Sequence, residues 1–138
     1  MVGNIVSQNV VSDSIELRTQ QGDISGRFSR IGKKLLTDTS YGNIEIDIAD
    51  NHYDSKKWRQ LKASTISGDV HVKLPKTFTG HFNLRSYTQI PIVLLEDAHQ
   101  LRFKQQENKN WIRASYGKRP KSNINLSTIA GYVQLQYF

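Results

Sequence analysis

Hydrophobic and polar residues alternate along most of this chain in short runs that end at a glycine. In the most complete copy, residues 61–82, the run before Gly68 and the run after it both have a period of two residues. Such alternation is typical of a strand with one buried face, and glycine followed by aspartate is typical of a tight turn. The pattern therefore predicts a strand–turn–strand unit, with inward positions at Leu61, Ala63, Thr65, Val70, Val72 and Leu74.

The same unit recurs from one end of the chain to the other. Turn positions fall at residues 22, 42, 68, 89, 117 and 131, with Gln89 in place of the glycine, so the spacing is close to 20 residues with some exceptions. Positions seven, five and three residues before a turn are of inward type, as in Ile15, Leu17 and Thr19 before Gly22, with only the last two of them, Ile112 and Ala114, before Gly117. Self-similarity at a fixed period is the signature of a repeat architecture.

A period of this length with two short strands fits two architectures: one rung of a β-solenoid, or consecutive hairpins of an antiparallel sandwich. Gly-Asn or Gly-Asp pairs begin at residues 3, 22, 42 and 68 in one register. Stacking equivalent corners demands such a recurrence, whereas sandwich hairpins do not. We therefore predict an all-β fold, an irregular right-handed β-solenoid (β-helix-like) of about six rungs that forms a single domain over residues 1–138.

Three segments interrupt the repeat. Residues 49–60 and 96–110 are polar insertions, which we expect to leave the solenoid as two loops. Residues 117–123 replace the expected second strand, and because Arg119 and Lys121 cannot lie on an apolar face, this segment is expected to be a solvated turn. The chain starts in mid-repeat at Gly3, so we expect residue 1 to be a boundary within a longer coil or the remnant of one.

The end rungs of such a solenoid have no obvious caps in this sequence. An uncapped rung exposes unpaired backbone N–H and C=O groups, which recruit further strands. We therefore expect self-association through the end rungs. The aromatic pair Tyr137-Phe138 is the one local feature that could cover an end.

Several of these segments resemble known families. Residues 15–26 (IELRTQQGDISG), 63–70 (ASTISGDV) and 126–133 (LSTIAGYV) are similar to a bacterial family of adhesin-like domains of unknown function. Residues 74–86 (LPKTFTGHFNLRS) resemble a motif of related fungal domains of unknown function. The resemblance implies a solenoid built from such rungs and a structural or interaction role, and it supplies no catalytic residues.

Composition narrows the function classes. The chain has no cysteine, which excludes disulfides, thiolate zinc sites and cysteine nucleophiles and leaves the compartment open. No stretch reads as a signal peptide or as a transmembrane segment, so no localisation is assigned.

The Asx residues beside the turn glycines are expected to stabilise turns rather than to bind calcium. The four histidines lack metal-ligand spacing, and there is neither a nucleophile elbow nor a phosphate-binding loop. We therefore expect no catalytic residue, no metal, no cofactor and no small-molecule substrate.

The strongest candidate for ligand binding is a basic segment, residues 102–121, where Glu107 is the one acidic residue. Its cations are interleaved with aromatic residues, a mixture suited to holding a polyanion. Its candidate binding residues are Arg102, Lys104, Lys109, Trp111, Arg113, Lys118, Arg119 and Lys121. A solvated basic loop is the competing interpretation.

The sequence thus favours a non-enzymatic structural or interaction module, adhesin-like in character, with a protein or an anionic polymer as partner. The alternative function is a polyanion- or polysaccharide-binding module that uses residues 102–121. A third alternative is a carbohydrate-active β-helix enzyme, for which we find no convergent carboxylates in register.

Overall fold

The computed structural model describes residues 3–48, 60–74, 80–87, 93–96, 102–107, 111–116 and 122–137. These residues form eleven strands and no helix. Accordingly, no membrane-spanning helix occurs within these ranges. The strands are β1 (Ile5–Gln21), β2 (Ile24–Tyr41), β3 (Ile44–Ile48), β4 (Gln60–Ser67), β5 (Val70–Leu74), β6 (Gly80–Ser86), β7 (Val93–Glu96), β8 (Arg102–Glu107), β9 (Trp111–Tyr116), β10 (Ser122–Ala130) and β11 (Val133–Tyr137).

Nine of these strands pair in parallel and form two stacks. The first stack contains the C-terminal halves of β1 and β2, followed by β4, β10 and β6. The second stack contains the N-terminal halves of β1 and β2, followed by β3, β5, β11 and β7. Parallel pairing of successive repeats confirms the solenoid and excludes a sandwich of hairpins. The hand of the coil stays a prediction.

The core lies between the two stacks. Along β3 and β5, inward residues are buried and alternate with more exposed ones, as the period of two requires. Phe28 and Leu35, from the two halves of β2, are both fully buried and belong to one continuous cluster with the inward residues of the other strands. Each rung thus covers an apolar surface that no single rung could bury alone.

The corners between the stacks are held by side-chain amides and carboxylates. Asn4 Oδ1 accepts the backbone N–H of Asp23 at 2.8 Å, and Asp23 Oδ1 accepts that of Asn43 at 2.8 Å. The series continues from Asn43 Oδ1 to the N–H of Asp69 at 2.9 Å. Asn4, Asp23, Asn43 and Asp69 thus form an Asx column, in which each side-chain oxygen bonds the backbone of the adjacent corner rather than that of its own turn.

The glycine of each corner is required by both its backbone conformation and its neighbour. Gly68 has a φ of +149°, a conformation that side chains disfavour. A Cβ at Gly68 would overlap the backbone carbonyl of Gly42 in the preceding corner. The corners can therefore stack only because they lack side chains at this position.

The hydroxyl three residues before each corner also bonds across rungs. Thr39 Oγ1 donates to the carbonyl of Gly22 at 3.1 Å, and Thr65 Oγ1 donates to that of Gly42 at 3.0 Å. Both threonines are buried. Their hydroxyls thus satisfy carbonyl oxygens inside the stack, in a structural role.

The order of the rungs in space differs from their order along the chain. The last repeat, β10 and β11, lies between the third rung (β4 and β5) and the fourth (β6 and β7). The expectation that Tyr137-Phe138 could cover an end is therefore wrong at Tyr137, which pairs with both Leu74 and Glu96 inside the second stack.

Two local predictions in the C-terminal half are wrong. The copy assigned to the turn at residue 117 is not a rung, because β9 runs antiparallel to β6. The insertion at residues 96–110 is not a loop throughout, because β8 lies within it and pairs antiparallel with β9. The β8–β9 hairpin therefore extends the first stack beyond β6 with the opposite strand direction.

The other interruptions are described in part. Residues 49–59 lie outside the described residues, and Gln60 begins β4 rather than ending a loop. The predicted solvated turn at residues 117–123 is wrong at its end, since Ser122 and Asn123 belong to β10 and Ser122 is fully buried. Residues 117–121 lie outside the described residues.

Candidate ligand-binding face

The described part of the basic segment lies on the antiparallel hairpin. Arg102 and Lys104 lie on β8, and Trp111 and Arg113 lie on β9. The other predicted binding residues lie outside the described residues; they are Lys109, Lys118, Arg119 and Lys121. Because β9 pairs with β6, Arg113 lies beside Asn83 and Trp111 lies beside Arg85. These two residues of β6 were not among the predicted binding residues.

Trp111 is anchored rather than free to stack on a ligand. Its Nε1–H donates to Asn83 Oδ1 on β6 at 3.0 Å, and the indole is half-buried. The guanidinium carbon of Arg85 lies 4.5 Å from the centre of the Trp111 ring and 4.3 Å from that of the Tyr87 ring. A cation near an aromatic ring at this distance is attracted by the ring quadrupole. Trp111 and Tyr87 therefore position Arg85.

Arg113 belongs to a row of polar side chains that crosses four paired strands. Asn83 is its partner on β6, Asn125 on β10 is the partner of Asn83, and Lys62 on β4 is the partner of Asn125. All four residues have outward parity, since their neighbours along each strand are buried. With adjacent strands about 4.8 Å apart, the backbones of Lys62 and Arg113 are about 14 Å apart.

We call the outward residues of β4, β10, β6 and β9 the amide face. Besides the row just described, they include Gln60, Ser64, Ile66, His81, Arg85, Trp111, Ser115, Asn123, Ser127 and Ile129. Two open grooves lie on it. One, of about 430 Å³, is lined by His81, Asn83, Arg113, Asn123 and Asn125 together with parts of Phe82 and Ala114. The other, of about 310 Å³, is lined by Gln60, Lys62, Asn83, Arg85, Tyr87, Asn125, Leu126 and Ser127. Asn83 and Asn125 line both grooves, so the two form one continuous surface.

The amide face is positively charged. None of its four strands contains an Asp or Glu, whereas three cations project from them, namely Lys62, Arg85 and Arg113. Acidic residues lie at the borders of the face: Asp38 on β2, whose Oδ1 accepts the hydroxyl of Ser64 at 3.1 Å, and Glu107 on β8, the strand partner of Trp111. The amide face is therefore suited to an anionic ligand.

The outward face of the second stack has a different character. Glu45 and Asp47 project from β3, next to Arg27 on β2 and to His71 and Lys73 on β5. Acidic and basic side chains alternate across neighbouring strands on this face. Among the described residues, the strands of the amide face therefore lack the acidic side chains that the second stack presents on its outward face.

Sequence reasoning missed most of the amide face for a physical reason. Asn83 and Asn125 stand at outward positions of their strands, a signal that is readable in the alternation. Their adjacency depends on β10 lying beside β6, which the sequence order of the repeats conceals. Across the described residues, histidine and the acidic residues form no group of three that could hold a metal ion.

Comparison with known proteins bears on the fold of this chain. The family model described as Toastrack DUF4097 matches residues 2–90, more than half of the chain. The match spans β1 to β6, so β7 to β11 lie beyond it. No curated protein and no solved structure shows significant similarity to the chain.

Proposed function

Because the chain belongs to the Toastrack DUF4097 family, whose function is unknown, we propose its role from the surface itself: a non-enzymatic module that binds an acidic polysaccharide on the amide face. The solenoid that the adhesin-like resemblance implies is present, and the family match accounts for it. A place in a surface or scaffold protein is part of the proposal. The bacterial adhesin and fungal resemblances stay predictions.

The observation that supports this proposal most strongly is the row Lys62–Asn125–Asn83–Arg113. It places a cation at each end and two amides between them, across four strands fixed by backbone hydrogen bonds. An asparagine side chain carries NH₂ donors and a carbonyl acceptor, which match the hydroxyl groups of a sugar, although Asn83 Oδ1 already accepts the Nε1–H of Trp111. The terminal cations match carboxylate or sulfate groups.

The described aromatic residues favour a polysaccharide over single-stranded nucleic acid. Proteins that bind single strands stack bases on accessible aromatic rings. Here Arg85 lies over the rings of both Trp111 and Tyr87. The guanidinium covers one face of each ring and so leaves less aromatic surface for base stacking, whereas hydrogen bonding to sugar hydroxyls does not need that surface.

The arrangement of carboxylates favours binding over glycoside hydrolysis. Hydrolysis in most families requires two carboxyl groups flanking the scissile bond. The described strands of the amide face supply none, and Asp38 at its border is engaged by Ser64. The carbohydrate-active enzyme is therefore the weaker alternative.

Binding to heparin tests the proposal, with dextran as a neutral polysaccharide, an oligodeoxythymidine and vesicles of phosphatidylserine as comparison ligands. We expect salt-dependent binding to heparin and weaker binding to the others. Arg113→Gln and Lys62→Gln should each lower the affinity and reduce the dependence on log salt by up to about one counterion.

Arg27→Gln is the matched control, because Arg27 is an exposed cation on the outward face of the second stack. It should leave heparin binding close to that of the unaltered chain. Equal losses in Arg27→Gln and Arg113→Gln would show that the attraction is diffuse and would refute the amide face as the site. Preference for the oligonucleotide or the vesicles would reassign the ligand.

A further inference from the structure

The last repeat of the chain fills an interior slot of the solenoid. Strand β10 pairs with β4 on one side and β6 on the other, and β11 pairs with β5 and β7. The rungs on both sides of this slot are formed by residues that precede it in the sequence. The last repeat is thus enclosed by segments to which it is joined only through the connection from β9.

The last repeat is held in the slot by the same kinds of hydrogen bond that join the other rungs. Thr128 Oγ1 donates to the carbonyl of Gly68 at 2.7 Å, and the N–H of Tyr132 donates to Asp69 Oδ1 at 3.0 Å. On the other side, Ser86 Oγ donates to the carbonyl of Gly131 at 2.8 Å. Each bond joins the last repeat to a flanking rung, and none involves the connection that leads into it.

The slot is also apolar. Ile124 and Leu126 of β10 and Val133 and Leu135 of β11 are buried in the common core. Without the last repeat, the facing surfaces of the third and fourth rungs would lose these partners. The surroundings therefore favour a filled slot, whichever chain supplies the repeat.

The connection into the last repeat is short. Tyr116 at the end of β9 and Ser122 at the start of β10 are both partners of Gly80, on opposite sides of β6. Five residues join them, a length that spans at most about 18 Å when extended. A short connection of this kind corresponds to an effective concentration on the order of millimolar. Filling of the slot by the same chain therefore dominates in dilute solution.

We propose that this slot is a self-interaction site, in which two copies of the chain exchange residues 122–137 and each fills the slot of the other. Every described bond and core contact of the last repeat is reproduced in the exchanged dimer, because the two copies have the same sequence. Exchange of an identical element is a low-cost route to a dimer. The outward residues of β10 belong to the amide face, so in the exchanged dimer each amide face contains strands of both copies. The interaction is distinct from any association at the end rungs.

Cysteine cross-linking tests the exchange directly, since the chain has no cysteine of its own. Ser64 on β4 and Ser127 on β10 are parallel partners, and adjacent strands lie about 4.8 Å apart, within the Cα separation that a disulfide spans. The full-length variants Ser64→Cys and Ser127→Cys, one of them labelled with ¹⁵N, are denatured, mixed, refolded together and oxidised. Mass spectrometry then measures the mixed disulfide dimer. We expect its yield to rise about tenfold for a tenfold rise in chain concentration below the millimolar range.

A second pair of variants controls for random collision. Glu45→Cys and His71→Cys are parallel partners on β3 and β5, outside the last repeat, and should give a much lower yield of mixed dimer. The double variant Ser64→Cys/Ser127→Cys, oxidised when dilute, should form an internal disulfide and stay monomeric when concentrated. Similar yields from both mixed pairs would overturn the proposal. Failure of the internal disulfide would also overturn it, because the last repeat would then not lie beside β4.

The unaltered chain provides a measurement that does not depend on any variant. Refolded at high concentration and then diluted, it should elute in part as a kinetically trapped dimer in size-exclusion chromatography. The dimer fraction should increase with the concentration during refolding. A purely monomeric elution at every refolding concentration would refute the exchange.

Discussion

Asp69 and Tyr132 are neighbours in the stack of corners although 63 positions separate them in the sequence. The N–H of Tyr132 donates to Asp69 Oδ1 at 3.0 Å, in the same way that Asp69 donates its own N–H to Asn43. This bond forms because the last repeat lies next to the third rung, in the middle of the solenoid. It also provides a direct test of that position.

Replacing Asp69 with alanine should destabilise the fold, because the N–H of Tyr132 loses its acceptor. We expect a loss of about 0.5–1.5 kcal/mol in the free energy of unfolding, the usual net value of such a bond. Denaturation by urea measures it. Asp69→Asn is the control and should retain most of the stability, since Asn4 and Asn43 accept the same bond elsewhere in the column. A neutral effect of Asp69→Ala would contradict the stacking of Tyr132 on Asp69.

Gly68→Ala should destabilise the fold more than Gly3→Ala. Both glycines have positive φ, so the backbone strain of about 1–3 kcal/mol is common to the two variants. A Cβ at Gly68 would overlap the carbonyl of Gly42, whereas a Cβ at Gly3 would have no atom within 4 Å. The difference between their midpoints of denaturation therefore measures the destabilisation caused by the overlap with the Gly42 carbonyl. Equal losses would show that strain alone, and not close approach of corners, requires glycine.

Trp111→Phe should lower the affinity for heparin through the position of Arg85. The variant keeps an aromatic ring near Arg85 but removes the bond from Nε1 to Asn83. We expect a modest loss of affinity with the salt dependence unchanged, because no charge is removed. Isothermal titration at several salt concentrations separates these two quantities. A reduced salt dependence would instead show that Arg85 itself has left the ligand.

Trp111 also provides an optical signal for binding. We expect heparin to change the fluorescence of the chain and Trp111→Phe to abolish that change. Trp58→Phe is the matched control and should retain it. Loss of the response in Trp58→Phe but not in Trp111→Phe would contradict binding beside Trp111.

Val6→Lys should weaken self-association at the β1 end. Among the described strands β1 pairs only with β2, and Val6 on β1 is 69% exposed. A lysine on an edge strand disfavours the addition of another strand. Sedimentation velocity at increasing concentration should show less association for the variant. The variant should leave the yield of the Ser64–Ser127 mixed disulfide unchanged, which separates association at the end rungs from exchange of the last repeat.

The sequence predicts the rungs well and their order poorly. Alternation along Ile44, Ile46 and Ile48 identifies a strand and its buried face, because side-chain direction depends only on local geometry. The order of stacking depends on which edges pair. Val133 and Leu135 have the same apolar character as Val70 and Val72, so the alternation does not show that β11 lies beside β5.

For the candidate site too, the local features are predictable from the sequence, whereas the pairing of its strands is not. The positive charge and Trp111 are readable in the sequence, and Arg113 does lie on the amide face. The segment that contains β8 was predicted to be a loop, because an antiparallel hairpin at the edge of a stack need not follow the repeat pattern that identifies the rungs. Asn83 and Asn125 were missed because 42 positions separate two residues that pair directly.

The interior position of the last repeat affects the order of events during synthesis on the ribosome. The first four corners, from Gly3 to Gly68, can bond to one another as soon as they emerge, since each bonds to the corner before it. Strand β6 emerges next, but its parallel neighbour β10 begins only at Ser122. At about 5–20 residues per second, the ribosome takes several seconds to supply the rest of the chain. During that interval the nascent chain exposes the apolar edge of the third rung, where a chaperone or a neighbouring nascent copy on the same messenger would find it.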